Sequence, residues 1–160
     1  PEPRIAKVGA RIMSLSDPTK KMSKSDGINK GCIYLLDSLK DARKKIMSAT
    51  TDSLGVVRYD PENQPGISNL IQILSSLSDD RPFADIEKEF EGRGYGDFKL
   101  AVGESVVDVL KPLQDRVADL SKDKAYIDSI IKNNAERANY VATKTLRKVQ
   151  KKVGFPERIR

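Results

Sequence analysis

Apolar positions in the second half of the chain recur at steps of three and four. Ile67, Leu70, Ile71, Leu74 and Leu77 form one such series, a spacing that places them on one face of an α-helix. Phe98, Val102, Val106, Val109, Leu113, Val117 and Leu120 form a longer one and predict a long amphipathic helix, bent near Pro112. A third stripe, Ile127, Ile131, Ala138, Ala142, Leu146, Val149 and Val153 with Val141 at its edge, predicts a last helix over about 122–153. Between the first two, Phe83, Ile86 and Phe90 share a face. There Asp79 or Asp80 reads as the N-cap, Pro82 lies in the first turn and Gly92 is the stop. These stripes predict a packed helical core rather than chemistry.

The first third of the chain is patterned differently. Residues 4–8 and 10–15 read as short extended segments on either side of Gly9, and 16–31 as loop, marked by Asp17-Pro18, Asp26-Gly27 and Asn29. Ile33 to Leu36 is a brief apolar run, strand or turn. Asp37 or Ser38 is placed to cap a helix through about Met47. Residues 50–66 carry Gly55, Asp60-Pro61 and Pro65-Gly66 and read mostly as loop. The fold class is therefore mostly α: a helical bundle following a strand-and-loop fragment.

Composition narrows the function classes. With 160 residues, 38% hydrophobic and 32% charged, the chain has enough apolar surface for one ordinary core and is not of the disordered class. No apolar run approaches the roughly 20 residues needed to span a bilayer. Cys32 is the single cysteine, so no intramolecular disulfide can form, in keeping with a cytoplasmic protein; it reads as a small, partly buried apolar residue. Pro1-Glu2-Pro3 has no initiator Met, and the chain reads as cut from something longer. Net charge is +6 and unevenly spread: +6 over 1–50, −7 over 51–110 and +7 over 111–160. A basic patch of this kind fits nucleic acid, though its ordinary meaning is a solvated face. No Asp/Glu/His/Cys cluster suggests a dedicated metal site.

Lys21-Met22-Ser23-Lys24-Ser25 is the sharpest chemical feature. Two ammonium groups flank a serine, a second serine follows, and an apolar run and a turn at Asp17-Pro18-Thr19 precede them. Such a loop suits a polyphosphate, because lysine supplies compact charge on a flexible stem while serine and backbone N–H groups add neutral donors. Glu91-Gly92-Arg93-Gly94-Tyr95-Gly96-Asp97-Phe98-Lys99 invites a phosphate-cradle reading, but three glycines before a helix ordinarily make a tight turn. Arg43-Lys44-Lys45 reads as a solvated helix face.

The five-residue loop resembles the signature loop of class I aminoacyl-tRNA synthetases. With Gly9 to Leu15, Asp17 to Asp26, Thr51-Asp52-Ser53, Pro65 to Leu70, Glu91 to Lys99 and Ala135 to Asn139, the chain is similar to the C-terminal portion of the bacterial tryptophanyl-tRNA synthetases along nearly its whole length. The tyrosyl branch, which shares the loop but not the segments 65–70 and 91–99, is the alternative; a non-catalytic helical RNA-binding module is another. The resemblance implies that 1–31 end a Rossmann catalytic domain and that 32–160 form the helical anticodon-binding region, the last helix returning toward the catalytic domain. It implies activation of tryptophan with ATP and Mg2+ and its transfer to tRNA(Trp) by a cytoplasmic homodimer with no membrane segment. Lys21 and Lys24 would be catalytic; Ile12, Lys21, Met22, Ser23, Lys24 and Ser25 would touch ATP; Arg93, Lys99, Arg137 and Lys144 would be candidate tRNA contacts. Magnesium would arrive with ATP, held by phosphates and water. The tryptophan pocket would lie in an N-terminal part not contained in this sequence. With 0 His and no glycine-rich strand-to-helix turn, these residues alone are expected to be inactive.

Overall fold

The structure, a computed structural model, describes residues 2–3, 8–25 and 29–155. Among them the regular elements are helical: a 3-10 turn at Asn29–Gly31, then α1 (Leu39–Met47), α2 (Pro65–Leu77), α3 (Phe83–Glu89), α4 (Tyr95–Lys122) and α5 (Lys124–Val153). The mostly α class is observed. The extended segment over 10–15 is reduced to a single antiparallel bridge, Met13 to Lys21. The other, over 4–8, lies outside the described residues apart from its last position.

Local chemistry explains several of the helix ends. Ser38 caps α1, its Oγ accepting the Asp41 N–H at 3.0 Å while donating to the Asp41 carboxylate at 2.7 Å, a reciprocal arrangement related to the capping box. Asp123 caps α5 by accepting the Tyr126 N–H at 2.9 Å, and Gly154 closes it in the left-handed region at φ 76°. Neither Asp79 nor Asp80 caps α3. Both adopt positive φ, 53° and 55°, which short polar side chains tolerate, and they turn the chain back after α2. The N-cap of α3 is Pro82. Pro112 does not end α4, which continues to Lys122.

Cα packing divides the chain into two units, residues 1–114 and 115–160. The first is built around α2. Ile67, Leu70 and Ile71 have no exposed surface, and they share one core with Leu15, with Ala42 and Ile46 of α1, with Ile86 and Phe90 at α3 and with Phe98, Val102 and Val106 of α4. The Phe90 and Phe98 rings meet edge to face at 5.1 Å.

The segment Pro65 to Leu70 shows why its residue types are needed. Pro65 takes the first helical position, where its missing N–H costs nothing. A Cβ on Gly66 would stand 2.1 Å from the Thr50 carbonyl oxygen, so only glycine lets the loop cross there. Ser68 accepts the Asp60 N–H at 2.8 Å, and Ile67 and Leu70 fill the core. The loop 50–64 is fastened to the start of α4 by a polar cluster. The Tyr95 hydroxyl donates to Asp52 Oδ1 at 2.5 Å, and Gln64 Nε2 donates to Tyr95 Oη and to the Val56 carbonyl, both at 2.9 Å.

In the second unit, α5 has no buried residue. Its stripe is present in sequence, but Ile131, Val141, Leu146, Val149 and Val153 are all exposed. That part of the expected core is not formed among the described residues.

Candidate functional site

The cationic loop has a tight, specifically bonded base. The Ser14 N–H donates to the Lys20 carbonyl at 2.8 Å, and the Met22 N–H donates to the Ile12 carbonyl at 3.0 Å. Together with the Met13–Lys21 bridge, these place 12–14 against 20–22 as one short antiparallel pair. Asp17 shapes the turn between them. Its carboxylate accepts the Thr19 hydroxyl at 2.6 Å and the Thr19 N–H at 3.1 Å, and it pairs with Lys20 Nζ at 3.0 Å. The Thr19 hydroxyl, then the Lys20 ammonium, hold the Asp17 carboxyl at a pKa of about 2.

The base is anchored to the core on several sides. The Leu15 side chain is buried, and its carbonyl accepts the Thr50 N–H at 2.8 Å. Ile12 and Met22 are half-buried and pack against the core cluster, which is the ordinary role of apolar residues in such a segment. Asn69, buried in the middle of α2, meets both backbone groups of Met13: its side-chain carbonyl accepts the Met13 N–H at 2.8 Å, and its amide nitrogen donates to the Met13 carbonyl at 2.9 Å.

The charges of the base and of the loop beyond it stand in solvent. Lys21, Lys24 and Ser25 are exposed, and Ser23 is half-buried with its Oγ accepting the Ser25 N–H at 3.2 Å. The structure therefore brings Ile12, Lys21, Met22, Ser23, Lys24 and Ser25 together in one short pairing and the segment that follows it: the apolar members pack against the core, and the cations are exposed. Asp26 and Gly27 lie outside the described residues. Among the described residues no group of three or more His, Cys, Asp or Glu could hold a metal ion. A divalent cation bound to phosphate oxygens would need no such group.

Of the four basic residues expected to face nucleic acid, Arg93 and Lys99 belong to the first unit and Arg137 and Lys144 to α5. Arg93 is exposed, its guanidinium 5.7 Å from the centroid of the Phe90 ring, at the lip of a cleft of about 560 Å³ that Arg58, Glu87 and Lys88 also line. Lys99 is half-buried and donates to the Ala49 carbonyl at 2.9 Å, and burial lowers its pKa. These contacts describe a clasp on the chain just after α1. Arg137 and Lys144 are exposed on α5, and Lys144 shares a shallow concavity with Tyr140, Arg147 and Lys148.

One expectation is corrected. Lys45 is not part of a solvated face: it is buried, bonded to Asp37 at 2.6 Å and to the Cys32 carbonyl at 2.9 Å, with the Tyr34 ring 5.0 Å away. Its partners come from the turn before α1, a pairing that helical spacing does not reveal. Arg43 also has a partner, Glu104 at 2.7 Å. The residue that sequence reasoning missed is Asn69. The available signal was a polar side chain enclosed by Ile67, Leu70 and Ile71.

Comparison with known proteins agrees with this architecture. The family described as "tRNA synthetases class I (W and Y)" matches residues 1–111. The tryptophan–tRNA ligase of Oceanobacillus iheyensis is 49% identical over 97% of this chain and 47% of its own length, and that of Bacillus subtilis is 50% identical over 97% and 46%. This chain thus spans about half the length of the curated relatives it matches. Among solved structures, the tryptophanyl-tRNA synthetase of Mycoplasma pneumoniae superposes with a TM-score of 0.77 at 31% identity, covering 94% of this chain and 45% of that one. The enzyme from Campylobacter jejuni, complexed with ADP and tryptophan, gives 0.69 at 26% identity over 97% and 47%. The chain belongs to the class I tRNA synthetases of the tryptophanyl and tyrosyl group, and its similarity to named relatives lies on the tryptophanyl side.

Proposed function

We propose that this chain is the C-terminal part of a tryptophan–tRNA ligase, a cytoplasmic homodimer that activates tryptophan with ATP and transfers it to tRNA(Trp). Residues 1–31 would complete the catalytic domain and 32–160 would form the tRNA-binding region, with α5 returning to the catalytic domain. In activation, a carboxylate oxygen of tryptophan attacks the α-phosphorus. The bond to the bridging oxygen breaks, and pyrophosphate leaves with the electron pair. Negative charge grows on that oxygen and on the departing group. Lys21 and Lys24 would neutralise it, acting more strongly in the transition state than in the ground state. Ser23, Ser25 and nearby N–H groups would hold the loop against the phosphates, with Ile12 and Met22 lining it. Magnesium would arrive with ATP, held chiefly by phosphates and water rather than by residues of this chain, and would offset phosphate charge. Arg93, Arg137 and Lys144 would meet tRNA. Lys99 would do so least, since its ammonium already serves Ala49.

The observation that carries the reading is the division within the loop: a base bonded into the core, and two exposed ammoniums, Lys21 on that base and Lys24 beyond it. A solvated basic loop has no need of so elaborate a base. The test uses the full-length protein that contains this chain. ATP–pyrophosphate exchange should depend on tryptophan, and Lys24→Ala should lower it about a hundredfold to a thousandfold, the usual cost of removing a preorganised charge donor. Exchange within threefold of the unaltered protein would reject the role of Lys24. Exchange driven by tyrosine instead would select the tyrosyl branch. The 160 residues alone, which contain 0 His, should show no exchange.

A further inference from the structure

The extended segment 12–14 has two edges. One pairs with 20–22, through Ser14 to Lys20 and Met22 to Ile12. The other, which in a sheet would face a neighbouring strand, is closed at Met13 by the side-chain amide of Asn69, bonded at 2.8 and 2.9 Å. A primary amide presents one acceptor and one donor side by side, as a peptide group does. Asn69 therefore stands in for a neighbouring strand. It is 3% exposed and fixed within the buried helix α2, while Met13 is the residue directly opposite Lys21.

We propose that Asn69 is a positioning residue for activation: it sets where the two lysines of the loop meet the phosphates, by holding the strand from which the loop springs. This inference rests on the pyrophosphate-neutralising role of Lys21 and Lys24 proposed above. The amide does not touch the substrate. It acts through Met13 and the Met13–Lys21 bridge. Because electrostatic stabilisation and orientation decay steeply with misplacement of even about 1 Å, loosening the base should lower turnover more than it weakens ATP binding.

Asn69→Asp tests this with little change of shape. It keeps an acceptor for the Met13 N–H but sets a carboxylate oxygen against the Met13 carbonyl. In the full-length protein, kcat for exchange should fall about tenfold or more, equivalent to about 1.4 kcal/mol, with KM for ATP changed less than threefold. Hydrogen–deuterium exchange at 12–22 should rise at least fivefold, with α3 and α4 unaffected. Placed in a Lys21→Ala, Lys24→Ala background, Asn69→Asp should cost almost nothing further, because groups that act as a unit are not additive. Undiminished protection at 12–22, or an equal further loss in the double-lysine background, would overturn the proposal. If the double-lysine variant itself kept full activity, the pyrophosphate reading would be the one to fail. The exchange measurement would then decide the hold of Asn69 on the loop by itself, with unchanged protection overturning that too.

Discussion

Helices α2 and α5 carry apolar stripes of the same spacing and meet opposite fates. In α2 the stripe is buried along with Gly66, Ser68, Asn69 and Ser75, so nearly the whole circumference is covered. In α5, more than twice as long, no residue is buried. The difference lies in what each helix offers besides its stripe. The buried polar residues of α2 are small and aimed at backbone: Ser68 at Asp60, Asn69 at Met13 and Ser75 at the Arg81 carbonyl. Burying them costs little because each is satisfied. Around α5, Arg137, Lys144, Lys148 and Lys151 stay solvated opposite the stripe. Spacing establishes that a helix is amphipathic; it does not supply the surface that covers it.

The largest effect expected from this contrast falls on α2. Leu70→Ala removes a fully buried side chain from the centre of the first unit and should cost about 2–5 kcal/mol, the range for such cavities. Urea unfolding would measure it. A loss below about 1 kcal/mol would mean that α2 is not the centre of a packed core.

A smaller effect belongs to the polar cluster that fastens the loop 50–64 to α4. Burial works to raise the Asp52 pKa, but the bonds from the Tyr95 hydroxyl, the Leu54 N–H and the Gln64 amide outweigh it, and the net shift is downward. Burial, then the Asp52 partner, raise the Tyr95 pKa. The signs follow. Asp52 binds fewer protons folded than unfolded, so its contribution is complete above its ordinary pKa of about 3.9 and is lost as pH falls through the lower folded value. Tyr95 keeps its proton longer when folded, so its contribution is complete below about 10 and is lost as pH rises through the raised value. Tyr95→Phe should cost about 1 kcal/mol at neutral pH, the net worth of one such bond. It should also remove the Tyr95 share of the alkaline loss while leaving part of the acid dependence, since Leu54 and Gln64 still bond Asp52. Unfolding at pH 3, 7 and 10.5 would show it, and an unchanged alkaline limb would reject the pairing.

The helices were legible in the sequence because their causes are local. The Ser38 cap and the stripes of α2 and α4 act within a few residues, whereas Pro65-Gly66, which read as loop, are the first residues of α2. What was not legible depends on distant partners. Asp79 and Asp80 look like caps, yet the turn after α2 puts them at positive φ. Lys45 looks like part of a solvated run, yet Asp37 and the Cys32 carbonyl lie within its reach. The segment 10–15 looks like a strand, but a strand needs neighbouring edges, and here one edge is a three-residue pairing while the other meets the Asn69 side chain at Met13 and single backbone bonds joining Leu15 to Gly31 and to Thr50. The loop chemistry was visible as composition. Its anchorage was not, because Met13 and Asn69 are 56 residues apart.

The smallest effect expected is also the most discriminating. Leu146 lies on the α5 stripe and is 55% exposed, so in the 160-residue chain Leu146→Ala should change stability by no more than about 0.5 kcal/mol, as at most surface sites. A contiguous apolar stripe left in water nonetheless signals a contact surface. If α5 returns to the catalytic domain as proposed, the same substitution in the full-length protein buries a cavity instead, and the loss should grow to about 2–5 kcal/mol. Measured side by side, the two constants separate a helix that is amphipathic by pattern from one that is amphipathic for a partner. Equal small losses in both lengths of chain would leave α5 as a solvated helix and remove the support for its return.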